Sequence, residues 1–156
     1  MNLTESDIHK LKRLQLNVCR QIQGLPDQIA NIVTYSLLGV EPVEVEIDRL
    51  ILAFLENLLH KKVTLEFKIL ERQLNMAKRN GQSYIIEIIQ RLEKYCLPAI
   101  ETLLENELHT LKWEKKTVKK HIIHYWDVKW QEQKQQKSTL KLLNIQSHAV
   151  GKAHQI

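Results

Sequence analysis

Apolar residues recur at intervals of three and four along most of the chain, the period of an α-helix with one buried face. Ile8, Leu11, Leu14, Val18 and Ile22 trace such a face and predict a helix that Ser6 or Asp7 can cap, running to about Gln23 and stopped by Gly24-Leu25-Pro26. Asp27 opens a shorter helix carrying Ile29, Ile32, Val33, Tyr35 and Leu37, which ends at Gly39, a residue that adopts left-handed backbone readily. After Glu41-Pro42, Ile47, Leu50, Ile51, Phe54, Leu55, Leu58 and Leu59 form the clearest stripe and predict the central core helix, with Glu44, Glu46, Asp48 and Glu56 on its solvated side. Val63, Phe67, Leu70, Leu74 and Ala77 continue the period to the breaker pair Asn80-Gly81. Ser83 is the expected cap of a helix whose Ile85, Ile88, Ile89, Leu92 and Cys96 face inward until Leu97-Pro98. A short segment from Ala99 to about Leu108 leads to a long helix from about Lys112 to Lys134, and Ser138 caps a last turn through Leu140, Leu142 and Leu143.

The fold class that follows is all-α: several short-looped amphipathic helices and a long basic C-terminal helix. Composition agrees, since 4 glycines, 3 prolines and 6% aromatics leave little for hairpins or an all-β core. With 156 residues, 44% of them hydrophobic, the chain can bury one ordinary core. No apolar run reaches the roughly 18 residues of a membrane span, and the first residues lack a basic flank and apolar centre. The expectation is an intracellular protein, cytoplasmic or nuclear, neither secreted nor membrane-bound. Cys19 and Cys96 both sit at apolar helical positions and are expected as buried free thiols rather than a disulfide.

Charge divides the chain more sharply than hydropathy does. Residues 1–108 carry 13 basic and 15 acidic side chains, whereas 109–156 carry 10 basic and 3 acidic, so the net +5 belongs to the last third. The expected organisation is a helical body over 1–108, a basic aromatic helix and a short last helix over 109–145, and a flexible tail over 146–156.

Catalytic and cofactor signatures are thin. His121 and His124 share a helix face, but a structural zinc needs about four ligands and no CxxC accompanies the pair. There is no GxSxG elbow, no GxGxxG and no GxxxxGK[ST] loop. Asp48 and Glu56 lie roughly on one helix face, a pattern that solvated carboxylates usually explain. No catalytic residue, metal, cofactor or small-molecule ligand is expected, and a nuclease using His121 or His124 is the weakest of three functional readings.

The informative stretch is 112–130. At about 100° per residue, Lys112, Lys115, Lys116 and Lys119 fall within about 100° of arc, and Val118, Ile122, Tyr125 and Trp126 occupy the adjacent arc. One face can dock while the other meets an anion. Lysines so arranged, with Lys120 beside them, neutralise successive phosphates, and exposed Trp113 and Trp130 would stack on unpaired bases. The competing reading makes the tryptophans core anchors and the lysines a solvated surface. Arg13, Arg20, Arg72, Lys78 and Arg79 are second-rank phosphate contacts.

Several phrases carry a resemblance. Residues 7–26 (DIHKLKRLQLNVCRQIQGLP) and 37–44 (LLGVEPVE), followed in order by Glu71-Arg72-Gln73-Leu74, Ser83-Tyr84-Ile85-Ile86, Lys94-Tyr95-Cys96-Leu97-Pro98, Lys112-Trp113, Tyr125-Trp126 and 137–143 (KSTLKLL), resemble the region just downstream of the reverse transcriptase in non-LTR (LINE-type) retrotransposon polyproteins of invertebrates. The resemblance spans residues 7 to 154. It implies a helical extension behind the polymerase thumb, near the RNA template, the target DNA or their hybrid. The polymerase's paired aspartates, an endonuclease domain and a zinc knuckle have no counterpart in these residues. The expectation is therefore a fragment of a decayed element, not an enzyme by itself, whose partners are RNA or DNA through Lys112, Trp113, Lys115, Lys116, Lys119, Lys120 and Trp130. The alternative is a helical protein-interaction module that packs on a reverse transcriptase or another domain through an exposed apolar stripe.

Overall fold

The structure is a computed structural model that describes residues 4–80, 84–107, 113 and 115–136, of which 78–80, 115, 116, 134 and 136 are described by backbone alone. Among these residues every regular element is a helix: α1 (Glu5–Gln23), α2 (Asn31–Leu38), α3 (Val43–His60), α4 (Leu65–Asn80), α5 (Tyr84–Lys94), α6 (Ile100–Glu105) and α7 (Lys115–Gln136). The protein is all-α. No helix among the described residues is long and apolar enough to cross a membrane. The expected cap Ser83, and Lys112, Ser138 and the tail, lie outside the described residues.

Helix ends show which side chains set the boundaries. Thr4, rather than Ser6 or Asp7, is the N-cap of α1: its hydroxyl and the Asp7 carboxylate satisfy each other's backbone N–H in a capping box. The Thr4 hydroxyl donates to Asp7 Oδ2 at 2.6 Å, and this bond above all holds the Asp7 carboxyl below its ordinary pKa. α2 begins at Asn31, four residues after the expected Asp27, because 27–29 form a turn instead. Val63 also falls outside a helix. Thr64, one residue later, accepts from the Phe67 N–H and donates to the Lys61 carbonyl, so α4 starts at Leu65.

Three helices end on the same left-handed motif. Gly24 (φ 62°) closes α1 with the Leu25 N–H on the Arg20 carbonyl, and Gly39 (φ 63°) closes α2 with the Val40 N–H on the Tyr35 carbonyl. Past α5 the same pair of bonds forms around Cys96 (φ 51°): its N–H reaches the Glu93 carbonyl, and the Leu97 N–H reaches Leu92. Cys96 is consequently exposed rather than buried, since the reversal of the chain turns its side chain away, whereas Cys19 is buried as expected.

The described chain divides into two compact units. Residues up to Glu46 and from Ile122 onward form the first, and Ile47–His121 forms the second. The boundaries between these units fall inside α3 and α7. The first unit is built on Ile32, Tyr35 and Trp130, with Leu16, Ala30, Val33 and Trp126 packed against them. In the second unit, Leu52, Leu55 and Leu59 of α3, Phe67, Leu70 and Leu74 of α4, Ile85, Ile88 and Leu92 of α5, and Ile100 and Leu103 of α6 are all buried. Lys62 closes the C-terminal end of α6 by donating to the carbonyls of Leu104 (3.0 Å) and Asn106 (3.3 Å).

The left-handed Cys96 yields a direct test. A non-glycine residue pays about 1–2 kcal/mol in this conformation, and the exposed thiol forfeits little packing. Cys96→Gly is expected to raise the denaturation midpoint, equivalent to about 1 kcal/mol, and Cys96→Val to lower it.

Candidate functional sites: a polar-docked helix, its cleft and a buried carboxylate

α1 docks by its polar side. Gln15 bridges to the start of α3, donating from Nε2 to the Glu41 carbonyl and accepting the Val43 N–H on Oε1, both at 2.8 Å. That N–H belongs to the first turn of α3 and has no partner within the helix. Gln23 Nε2 reaches the Thr34 carbonyl of α2 at 3.0 Å, Lys12 pairs with Glu44, and Arg20 Nη2 holds the Ile29 carbonyl and Asn31 Oδ1 at 2.9 Å each. Cys19 is the buried residue of this face.

The consequence overturns the predicted orientation of the helix. Leu11, Leu14, Val18 and Ile22, expected in the core, are exposed by 38, 61, 45 and 70%. They lie within about 80° of arc over three turns, to one side of the docked face. α3 shows a smaller rotation: Leu50 and Phe54 are exposed, while Val45, Leu52, Leu55, Leu58 and Leu59 are buried.

A cleft of about 860 Å³ opens in the first unit, lined by α1, α2, the Pro42–Glu44 stretch and α7. α1 contributes Lys10, Lys12, Arg13 and Arg20; Tyr35 stands on α2, and Trp126, Trp130 and Gln133 on α7. Two carboxylates, Asp27 and Glu44, also line it. Burial above all pushes the Tyr35 phenol up to about 12, with Cys19 and Glu44 adding to the effect and Arg20 opposing it.

Asp48 is the second notable site. It was expected on the solvated side of its helix, but it is buried and accepts from three groups of α5 and the residue after it: Arg91 Nε at 3.1 Å, Lys94 Nζ at 2.6 Å and the Tyr95 hydroxyl at 2.5 Å. At about 100° per residue, Asp48 falls between Leu55 and Leu59 on the buried face of α3, a signal that was legible in the sequence. Arg91, Lys94 and Tyr95 at helical spacing are its complement. Three donors converge on this carboxylate, and the arrangement ties α3 to α5. Glu56, eight residues further along α3, lies 3.8 Å from His60.

The residues nominated from the sequence are dispersed. Lys119 and Lys120 are exposed on α7. Lys115 and Lys116 are placed on the same helix by backbone alone, and Lys112 lies outside the described residues. Trp113 and Trp130 are buried, 6 and 7% exposed, so neither offers a ring for stacking. The core-anchor alternative describes them. Trp130 shares a helical register with the lysine arc, and it is buried because α7 packs that face on Ile32 and Tyr35 in its second half. His121 Nδ1 donates to the Tyr95 carbonyl at 2.9 Å, His124 is exposed, and no cluster of three potential metal ligands occurs among the described residues. Of the second-rank cations, Arg13 and Arg20 meet in the cleft, Arg72 is exposed on α4, and Lys78 and Arg79 are described by backbone alone.

No protein-family model matches the chain, and neither a curated protein nor a solved structure matches it.

Two measurements check these sites. Asp48→Ala leaves Arg91 and Lys94 without their buried counter-charge and is expected to cost about 3–5 kcal/mol in chemical denaturation. Tyr35 ionises more readily unfolded, near 10, than folded, near 12. Its stabilising contribution is therefore complete below about pH 10 and lost as pH rises toward 12, so a Tyr35→Phe variant should retain more of its stability over that window.

Proposed function

We propose that this protein is a non-catalytic helical domain that contacts RNA or DNA without sequence preference, through the lysines of α7, as the resemblance to a retrotransposon reverse transcriptase extension implies. The observation that carries the reading is the exposure of the adjacent Lys119 and Lys120 on a helix that continues the only strongly basic part of the chain. Lys115 and Lys116 precede them at helical spacing, and Lys112 extends the series. Such a row suits a phosphate backbone because each ammonium displaces a counterion without reading a base. Trp113 and Trp130 have no part in the contact of the lysine row, since both are buried, and that contact is electrostatic. Flat, charge-driven contact of this kind fits an auxiliary segment that holds a template near a polymerase better than it fits a domain that selects a sequence.

A second reading has its own support. The stripe of Leu11, Leu14, Val18 and Ile22 is a continuous apolar face left to solvent over three turns of α1. Such faces mark protein contacts, and a reverse transcriptase domain is the partner that the resemblance implies. The two readings use different helices and are compatible.

Binding to single-stranded RNA or DNA is expected to weaken steeply with salt, and Lys119→Gln with Lys120→Gln is expected to reduce the logarithmic salt slope by about 1.4 while leaving the helical spectrum intact. An affinity that does not change with salt would sink the reading. For the second, Leu14→Gln with Ile22→Gln is expected to alter stability by no more than about 0.5 kcal/mol yet abolish concentration-dependent association or capture of a partner; association unaffected by both changes would remove the stripe from consideration.

A further inference from the structure

The cleft of the first unit joins cationic and aromatic side chains in one cavity. On one wall α1 turns a row of cations: Lys10, Arg13 and Arg20 lie within about 80° of arc along about three turns. On the other, α7 sets Trp126 and the buried Trp130 against Tyr35. Lys10 and Arg13 are exposed, and Arg20, at the edge of the row nearest the docked face, is half-buried.

The cations differ in what they can still do. Lys12 is committed to Glu44, which cancels one of the two carboxylates of the lining. Lys10 lies 3.8 Å from Asp7, a loose and exposed pair that exchanges readily for a stronger anion. Arg20 spends Nη2 on the Ile29 carbonyl and Asn31, which fixes its plane, and its Nε has no partner. Arg13, exposed and flanked by these, has its guanidinium available to grip two oxygens of one phosphate. Trp126 is half-buried, with its ring edge-to-face to Tyr125 at 5.6 Å between centroids. An aromatic wall fixed in this way accepts a planar ring. A cavity of about 860 Å³ lies within the range of ordinary ligand sites.

We infer that this cleft binds a nucleoside phosphate, its base against Trp126 and its phosphate on Arg13 with Lys10. The choice of ligand rests on the nucleic-acid reading above; the residues do not, since none of them is on the lysine row of α7. The same chemistry has two sources, a free nucleotide or one unpaired nucleotide of a strand. In the second case the cleft supplies the base contact that the buried Trp113 and Trp130 cannot.

The experiment titrates the full chain with thymidine 5′-monophosphate, a short oligothymidylate, inorganic phosphate and an oligoglutamate peptide, following heat and tryptophan fluorescence. Saturable binding of the monophosphate or the oligonucleotide is expected, with a change in tryptophan emission and a loss of about tenfold in Arg13→Gln. Binding of the monophosphate assigns the free nucleotide, and binding of the oligonucleotide alone assigns the strand. Arg13 is exposed, so the variant should keep the native helical spectrum, and Lys10→Gln provides an independent check on the same wall. Lys119→Gln with Lys120→Gln should leave monophosphate binding unchanged. Equal binding of inorganic phosphate or oligoglutamate, no binding of either nucleotide form, or affinity indifferent to Arg13 would overturn the inference. A salt-sensitive loss confined to the Lys119 and Lys120 variant would uphold the α7 reading alone, and a loss confined to Arg13→Gln would uphold the cleft alone.

Discussion

The docking of α1 by hydrogen bonds, rather than by its apolar stripe, is the constraint on which the functional surfaces depend. The first turn of α3 leaves backbone N–H groups that α3 cannot satisfy, and the Gln15 side chain meets one of them while its own N–H₂ returns to Glu41. Gln23, Arg20 and Lys12 extend the same contact to α2 and Glu44. A helix held by that face turns its other sides outward. The stripe from Leu11 to Ile22 and the cationic wall of the cleft flank the docked face on its two sides and are thus two consequences of one orientation.

The second unit relies on a different device. Asp48 stands among leucines on the buried face of α3, where an unpaired charge would be costly, and Arg91, Lys94 and Tyr95 surround it. Apolar burial alone would let α3 and α5 slide by a turn with modest loss. A carboxylate that must find three particular donors does not permit that slip. The arrangement reads as a device for register more than for net stability, since the desolvation of the ions offsets much of their attraction.

Much of the helix inventory was legible from periodicity and turn chemistry. Gly24 and Gly39 close α1 and α2 where the sequence places them, and the inward Ile85, Ile88 and Leu92 of α5 are buried as their spacing requires. Failures cluster where a side chain had more than one use. Asp7 could cap a helix or complete the capping box of Thr4, and pattern alone does not choose between them. Cys96 counted as an inward apolar residue, yet it holds the left-handed position that ends α5. The tryptophans of α7 were ambiguous because a Trp that anchors a core and a Trp that stacks on a base have the same spacing; only the presence of Ile32 and Tyr35 opposite Trp130 distinguishes them. Of the candidate phosphate contacts, the lysine row could be read from charge and period. The cleft could not, since it joins residues more than a hundred positions apart.

The sequence by itself determined that this chain is helical, where most helices stop, and that positive charge is concentrated in its last third, because propensity, caps and net charge are local properties. Tertiary structure alone decided which face of each helix is buried. An amphipathic pattern states that a face can be buried at a gain, but the face that docks is the one whose unsatisfied backbone groups and charges find partners. In α1 those partners lay on the polar side, at Glu41, Val43 and Thr34, and the apolar stripe was left to solvent.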